Sequence, residues 1–197
     1  MRLYDKLPDS VTVNGKRIKL NLDFRNVLRM IDILHNDNLM IEAREYLAVK
    51  CICRHPKKGM IREILKEVRK LIFPEQEFQE EWHQRIMDFE QDSEMIIAAF
   101  RQVYGINLLK DRLHWFEFSA LLSNLPSGNR FSEVLGIRAR PMPPATDYNT
   151  EERMWLAKAK LQYAIRYSEE EEQEMFKKSL SGLGKAFSVM SKGGDGK

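Results

Sequence analysis

Leu113 to Pro126 reads LHWFEFSALLSNLP, and this stretch constrains the fold more than any other. At about 100° per residue, Leu113, Trp115, Phe116 and Phe118 cannot share one face of a helix. A helix apolar on all sides must be covered on all sides, by its own domain, a partner chain or lipid. The longest apolar run near the middle, Met95 to Phe100, is far short of the roughly 20 residues that span a bilayer. Lipid is not the expected cover, and amphipathic segments before and after the stretch point to its own domain. It reads as the central helix of a bundle.

A chain of 197 residues, 43% hydrophobic and 10% aromatic, has the means to build such a core as one domain. Val11 to Leu22 alternates apolar and polar residues on both sides of Asn14-Gly15, the preferred pair for a two-residue hairpin turn. From Asp23 the period changes to 3.6, with Phe24, Val27, Leu28, Ile31 and Leu34 forming a first helix that runs to His35. A second helix is expected from about Leu39 to Cys53, ended by His55-Pro56. The cleanest stripe follows: Ile61, Ile64, Leu65, Val68, Leu71 and Ile72, with Lys and Arg opposite and Pro74 as the stop.

An acidic connector then holds a candidate short helix through Phe78, Trp82 and Ile86. Asp88 and Gln91 have the spacing of a capping box, Ile96, Ala99, Phe100, Val103 and Tyr104 share a face, and Gly105 suits a left-handed cap. After the Leu113–Pro126 stretch, Phe131, Val134, Leu135 and Ile137 make a closing helix. The expectation is a mainly α protein: an N-terminal β-hairpin and helical bundle over 1–139, a proline-rich linker over 140–150, and a C-terminal helical extension over 151–197. In the extension, Glu151 to Tyr167 is helical by period, with Met154, Trp155, Leu161, Tyr163 and Ile165 among its apolar positions. The run Glu169 to Glu172 is expected to be exposed and the Gly-rich end disordered. Between these, Phe176, Leu180, Leu183 and Phe187 fall at helical spacing. That segment is a last packing helix, or one that orders on meeting a partner, or one that lies on a membrane surface.

Charge is nearly balanced in total, at +3, but unevenly placed. Arg44 to Lys70 carries nine basic against three acidic residues, a balance of +6. Glu75 to Glu94 carries eight acidic against one basic, a balance of −7. Two solvated helix faces account for this, and so would patches that orient self-assembly.

Residues with chemical potential do not converge. Three histidines have a carboxylate three residues earlier, Asp32 before His35, Glu80 before His83 and Asp111 before His114. Only one is Glu-x-x-His, and a bundle metal site needs facing pairs and bridging glutamates. Cys51 and Cys53, two apart, point to nearly opposite sides of a helix, so with His55 they make a poor metal cluster and no disulfide. No glycine-rich phosphate loop, nucleophile elbow or HExxH is present. Catalysis, a metal and a cofactor are therefore not expected. The basic third helix lacks the aromatic interleaving of a nucleic-acid surface. Asp5, Lys6 and Pro8 stand where a signal peptide needs an apolar stretch, which points to the cytoplasm and away from membranes.

The run Asp88-Phe-Glu-Gln-Asp92, then Ile96, Ala98-Ala-Phe100, Tyr104-Gly-Ile106 and Leu108, followed by Leu113-His-Trp115, Phe118, Ala120-Leu-Leu122 and Leu125-Pro126, resembles the bacteriophage gene-product-fifteen family of long-tailed phages and prophages of Gram-positive bacteria. The resemblance takes in Leu7 to Val11, the hairpin, Asp23-Phe-Arg25 and Phe131 to Arg138, and covers about residues 3 to 165. It does not reach the segment beyond Tyr167. What it implies is a tail assembly chaperone of the host bacterial cytoplasm, many copies of which coat the tape measure protein and leave as tail tube protein polymerises. Its motif residues Phe89, Ile96, Phe100, Tyr104, Trp115, Phe118 and Leu122 are then expected in the core. Phe176, Leu180, Leu183 and Phe187 are the candidate partner contacts, outside that core. Rival expectations are a phage adaptor or effector that binds a host protein, and a helical-bundle metalloprotein.

Overall fold

The computed structural model describes residues 4–73 and 85–167. Strand β1 (Ser10–Val13) pairs antiparallel with β2 (Lys16–Lys19), and Val13 opposite Lys16 leaves Asn14 and Gly15 as the two-residue turn. Their φ values of 49° and 73° are both left-handed, the combination that matches the right-handed twist of a hairpin. Val11 and Val13 are buried, and β2 is largely exposed. The expected alternation runs on to Leu22, but the strand ends at Lys19, with one further hairpin bond from Leu20 N–H to Asp9 O at 2.7 Å. Beyond it the backbone finds other partners: Asn21 N–H donates to Ile52 O at 2.7 Å, and Leu22 O accepts from Trp115 N–H at 2.7 Å.

Helix α1 (Phe24–Leu34) begins where the Asp23 carboxylate accepts the Arg25 N–H, an N-cap bond that satisfies one orphan donor of the first turn. Its most buried line is Phe24, Val27 and Met30, with the expected Leu28, Ile31 and Leu34 half-buried beside it. It packs against α2 (Ile41–Ile52), which buries Ala48, Val49 and Ile52. A single 3₁₀ turn (Lys58–Met60) leads into α3 (Ile61–Ile72), where Ile61, Ile64, Val68 and Ile72 are buried and packing falls on α2 and β1. The expected connector helix lies largely outside the described residues.

Helix α4 (Ser93–Tyr104) starts four residues later than a cap at Asp88 would place it; Phe89 to Asp92 form a turn, and buried Asp92 occupies the N-cap position. Its end is as the sequence indicates, with Gly105 left-handed at φ 70°.

Helix α5 (Trp115–Ser123) corrects the reading of the Leu113–Pro126 stretch. Leu113 is not helical, because its carbonyl accepts the Phe24 N–H at 3.0 Å and Asp23 pairs with His114 in an isolated antiparallel bridge. The helix that remains buries only Trp115 and Phe118, one turn apart, while Phe116, Leu121 and Leu122 are half-exposed. It is a short one-sided helix, so the demand for cover on every side disappears. Helix α6 (Arg130–Ala139) follows, with Phe131 and Val134 buried.

The chain separates into two compact units, Met1–Gln84 with Phe89–Gly136, and Arg85–Asp88 with Ile137–Lys197. In the second, α7 (Thr150–Gln162) ends five residues before Tyr167. It buries Leu156 and Ala159 and leaves Met154, Trp155 and Leu161 exposed; of the expected apolar positions, Ile165 beyond the helix end is buried and Tyr163 half-buried. Buried Arg138 organises this unit, donating from Nε to Tyr163 O at 2.6 Å and from Nη1 to Ile86 O at 3.0 Å. Lys160 Nζ donates to Arg138 O at 2.7 Å. The fold is mainly α with an N-terminal β-hairpin.

Candidate functional site

The centre of the first unit is aromatic. Phe118 stacks on Phe24 (centroids 4.5 Å) and on Phe100 (5.4 Å), with Trp115 at 6.0 Å and Phe89 at 6.2 Å. Ile96, Phe100, Trp115 and Phe118 are buried, whereas Phe89, Tyr104 and Leu122 are half-buried. The Tyr104 hydroxyl donates to Leu121 O at 2.9 Å, which ties the end of α4 to α5. The buried four are core residues, and the half-buried three lie at its margin. Phe176, Leu180, Leu183 and Phe187 lie outside the described residues.

Of the groups able to do chemistry, His114, Asp9 and Asp23 line one cleft with four basic side chains. Among the described residues no three His, Cys, Asp or Glu side chains gather as a metal site would need. His35 Nδ1 lies 2.8 Å from Ile31 O at the end of α1. His114 caps α5: Nδ1 accepts the Phe116 N–H at 3.3 Å, Nε2 faces Pro8 O at 3.1 Å, and Glu117 takes the His114 N–H at 3.0 Å. Cys51 is half-buried, and burial pushes its thiol up from the ordinary value, against a smaller opposing pull from the charge of Arg29. Also among the described residues, no helix is long and apolar enough to cross a membrane.

Binding surfaces are more developed. A cleft of about 650 Å³ opens at the head of α1, lined by Arg25, Arg29, Lys110 and Arg112 against Asp9 and Asp23. Arg25 is already engaged, its guanidinium bonded to both carboxylate oxygens of Asp23 at 3.0 Å. Burial would raise the Asp23 carboxyl, but the bonds from Arg25 and the charges of Arg25 and Arg112 outweigh it, and the group is held below the ordinary value. Asp9 is held low as well, by Ser10 and Arg17.

A second, more apolar groove of about 720 Å³ lies between the starts of α2 and α3. Met40, Ala43, Tyr46 and Ile61 line it, and Glu45 and Arg62 join across it at 3.0 Å. Met40 is 78% exposed, and the neighbouring Ile41 is 55% exposed. Large apolar side chains this open are informative where they cluster beside a groove. The sequence held a signal for it, since Met40, Ala43 and Leu47 sit at i, i+3 and i+7 apart from the α2 residues that are buried. A groove shared between two helices is nonetheless a property of their packing, which one helix's pattern does not disclose.

Over residues 3–165 the chain matches the family described as Bacteriophage Gp15 protein. It is a phage-type protein, and it belongs to that family. No curated protein and no solved structure matches it.

Proposed function

We propose that this protein is a tail assembly chaperone, which binds the phage tape measure protein in the host cytoplasm and keeps it soluble without catalysing a reaction. The observation that carries the proposal is the open groove between α2 and α3, with Met40, Ala43, Tyr46 and Ile61 along it. A long helical protein with apolar stripes needs cover before assembly, and an amphipathic helix binds by laying its apolar face into such a groove. Methionine at the rim suits the task, because its unbranched side chain adapts to stripes of differing shape. Membership of a phage family supports the setting. Many copies, associated with one another, would line the partner and be displaced by tail tube protein.

The test is co-expression with the tape measure protein, followed by size-exclusion chromatography with light scattering. A large, soluble, multi-copy complex is expected, and Met40→Glu with Ala43→Arg should abolish it while the helical circular dichroism is kept. If the tape measure protein precipitates equally in company and alone, the proposal fails.

A further inference from the structure

A third groove, of about 370 Å³, runs along β2 and differs from the other two in its charge. Lys16, Arg17, Lys19, Arg54 and Lys57 line it, and no carboxylate does. Arg17 also reaches the Asp9 carboxylate outside the groove at 3.1 Å. Five cations around one small groove, in a chain whose net charge is only +3, form a local field that attracts anions. The floor, however, is apolar: Ile18, Cys53, Met60 and Ile64, of which Cys53 and Ile64 are buried.

All four consecutive residues of β2 line this groove. One face of a strand presents only alternate residues, so the groove follows the strand's outer edge. Among the described residues the sheet has two strands, and β1 occupies the other edge of β2. An outer edge flanked by a wall is where an extended segment can add as a further strand.

We propose that this groove docks an acidic protein segment carrying a bulky apolar anchor. Carboxylates of the segment pair with the lysines and arginines of the rim, and the anchor covers Ile18 and Met60. Nucleic acid fits less well, because single strands are held by stacking on aromatic platforms and no Phe, Tyr or Trp lines the groove, His55 being its one aromatic side chain. A small phosphate would leave the apolar floor uncovered.

The chain's own sequence supplies a probe of this chemistry, residues 74–82, which read PEQEFQEEW. A fluorescein-labelled peptide of that sequence, titrated into the full chain at about 50 mM salt, should raise the anisotropy saturably, and salt should weaken it. Arg54→Glu with Lys57→Glu, both exposed positions, should weaken binding by at least about tenfold while the circular dichroism is unchanged. A peptide with alanine at the Phe78 and Trp82 positions should lose affinity by a similar factor of about tenfold, because the floor is then left uncovered. Absence of binding, indifference to the Arg54 and Lys57 changes, or tighter binding of an oligothymidylate than of the peptide would each overturn the proposal.

Discussion

The ring of Phe118 lies on the ring of Phe24 with centroids 4.5 Å apart and planes 15° from parallel, and this contact joins the start of α1 to the middle of α5. The backbone repeats the link beside it, Phe24 N–H to Leu113 O and Trp115 N–H to Leu22 O. Two segments far apart in sequence are thus held by hydrogen bonds at their edges and by a ring stack between them. The arrangement makes Phe118 the residue on which four other rings converge.

Phe118→Ala should therefore be among the most damaging substitutions in the protein, costing about 3–5 kcal/mol through lost burial and the cavity left behind. Phe116→Ala, two residues away on the same helix but only half-buried, should cost far less. Urea unfolding followed by circular dichroism compares the two. Equal losses would mean that α5 is covered on both sides after all.

His114 gives a second test. Its Nδ1 accepts the Phe116 N–H, an unusual choice of N-cap, since serine, threonine, aspartate and asparagine lead at that position. His114→Ala removes the cap and the contact with Pro8 O, and should cost about 1 kcal/mol. His114→Asn restores the acceptor and should recover most of the cap contribution. Thermal unfolding of the three proteins separates capping from the Pro8 contact.

The local signals were the ones the sequence displayed openly. Asn14-Gly15 specified its turn, Ile61 to Ile72 its inner stripe and Gly105 its cap, because each depends on residues within one or two turns. The Leu113–Pro126 stretch misled for the opposite reason. Composition cannot reveal that Leu113 gives its carbonyl to Phe24, which shortens the helix and leaves one inward side. The same holds for α7, where Leu156 and Ala159 face inward while Trp155 and Leu161 stay out, a choice set by what the helix packs on and not by its own composition. Of the binding surfaces, the basic bias of Arg44 to Lys70 was visible, but not that Arg54 and Lys57 would stand beside Lys16 and Lys19.

Asp23 predicts an acid-sensitive contribution to stability. Its carboxyl is held below the ordinary value of 3.8 in the fold, so the folded state favours the charged form more than the unfolded state does. As pH falls, the unfolded chain takes up the proton first, and stability present above the unfolded value is lost through the folded value below 3.8. Asp23→Asn keeps a good N-cap and removes the titration. Its unfolding midpoint in urea should lie below that of the parent protein at neutral pH, and the gap should close in acid. A gap that stays constant with pH would rule out the Arg25 and Arg112 charges as its source.

Cys51 should be a slow thiol. Partial burial raises its pKa above the ordinary 9.0, the thiolate is the reactive form, and the neighbouring Cys53 is buried outright. Iodoacetamide at mildly alkaline pH should label neither residue at the rate of a free thiol, and denaturant should release both. Mass spectrometry after timed quenching reads this directly. Fast labelling of Cys51 alone would mean that the α2 face carrying it opens to solvent.

Two glycines should answer the same substitution with opposite signs. Gly105 ends α4 at φ 70°, where an added Cβ meets nothing within 4 Å but the backbone itself is strained for an L-residue. Gly105→Ala should therefore destabilise by about 1–2 kcal/mol through backbone strain alone. Gly136 sits inside α6, also with nothing within 4 Å of a built Cβ, and its backbone is ordinary helix. There alanine loses less conformational entropy on folding, and Gly136→Ala should stabilise by about 1 kcal/mol. Because the space around both sites is open, packing drops out of the comparison and the sign reports backbone conformation. Paired urea titrations decide it, and a Gly136→Ala protein no more stable than its parent would mean that this part of α6 is not helical in solution.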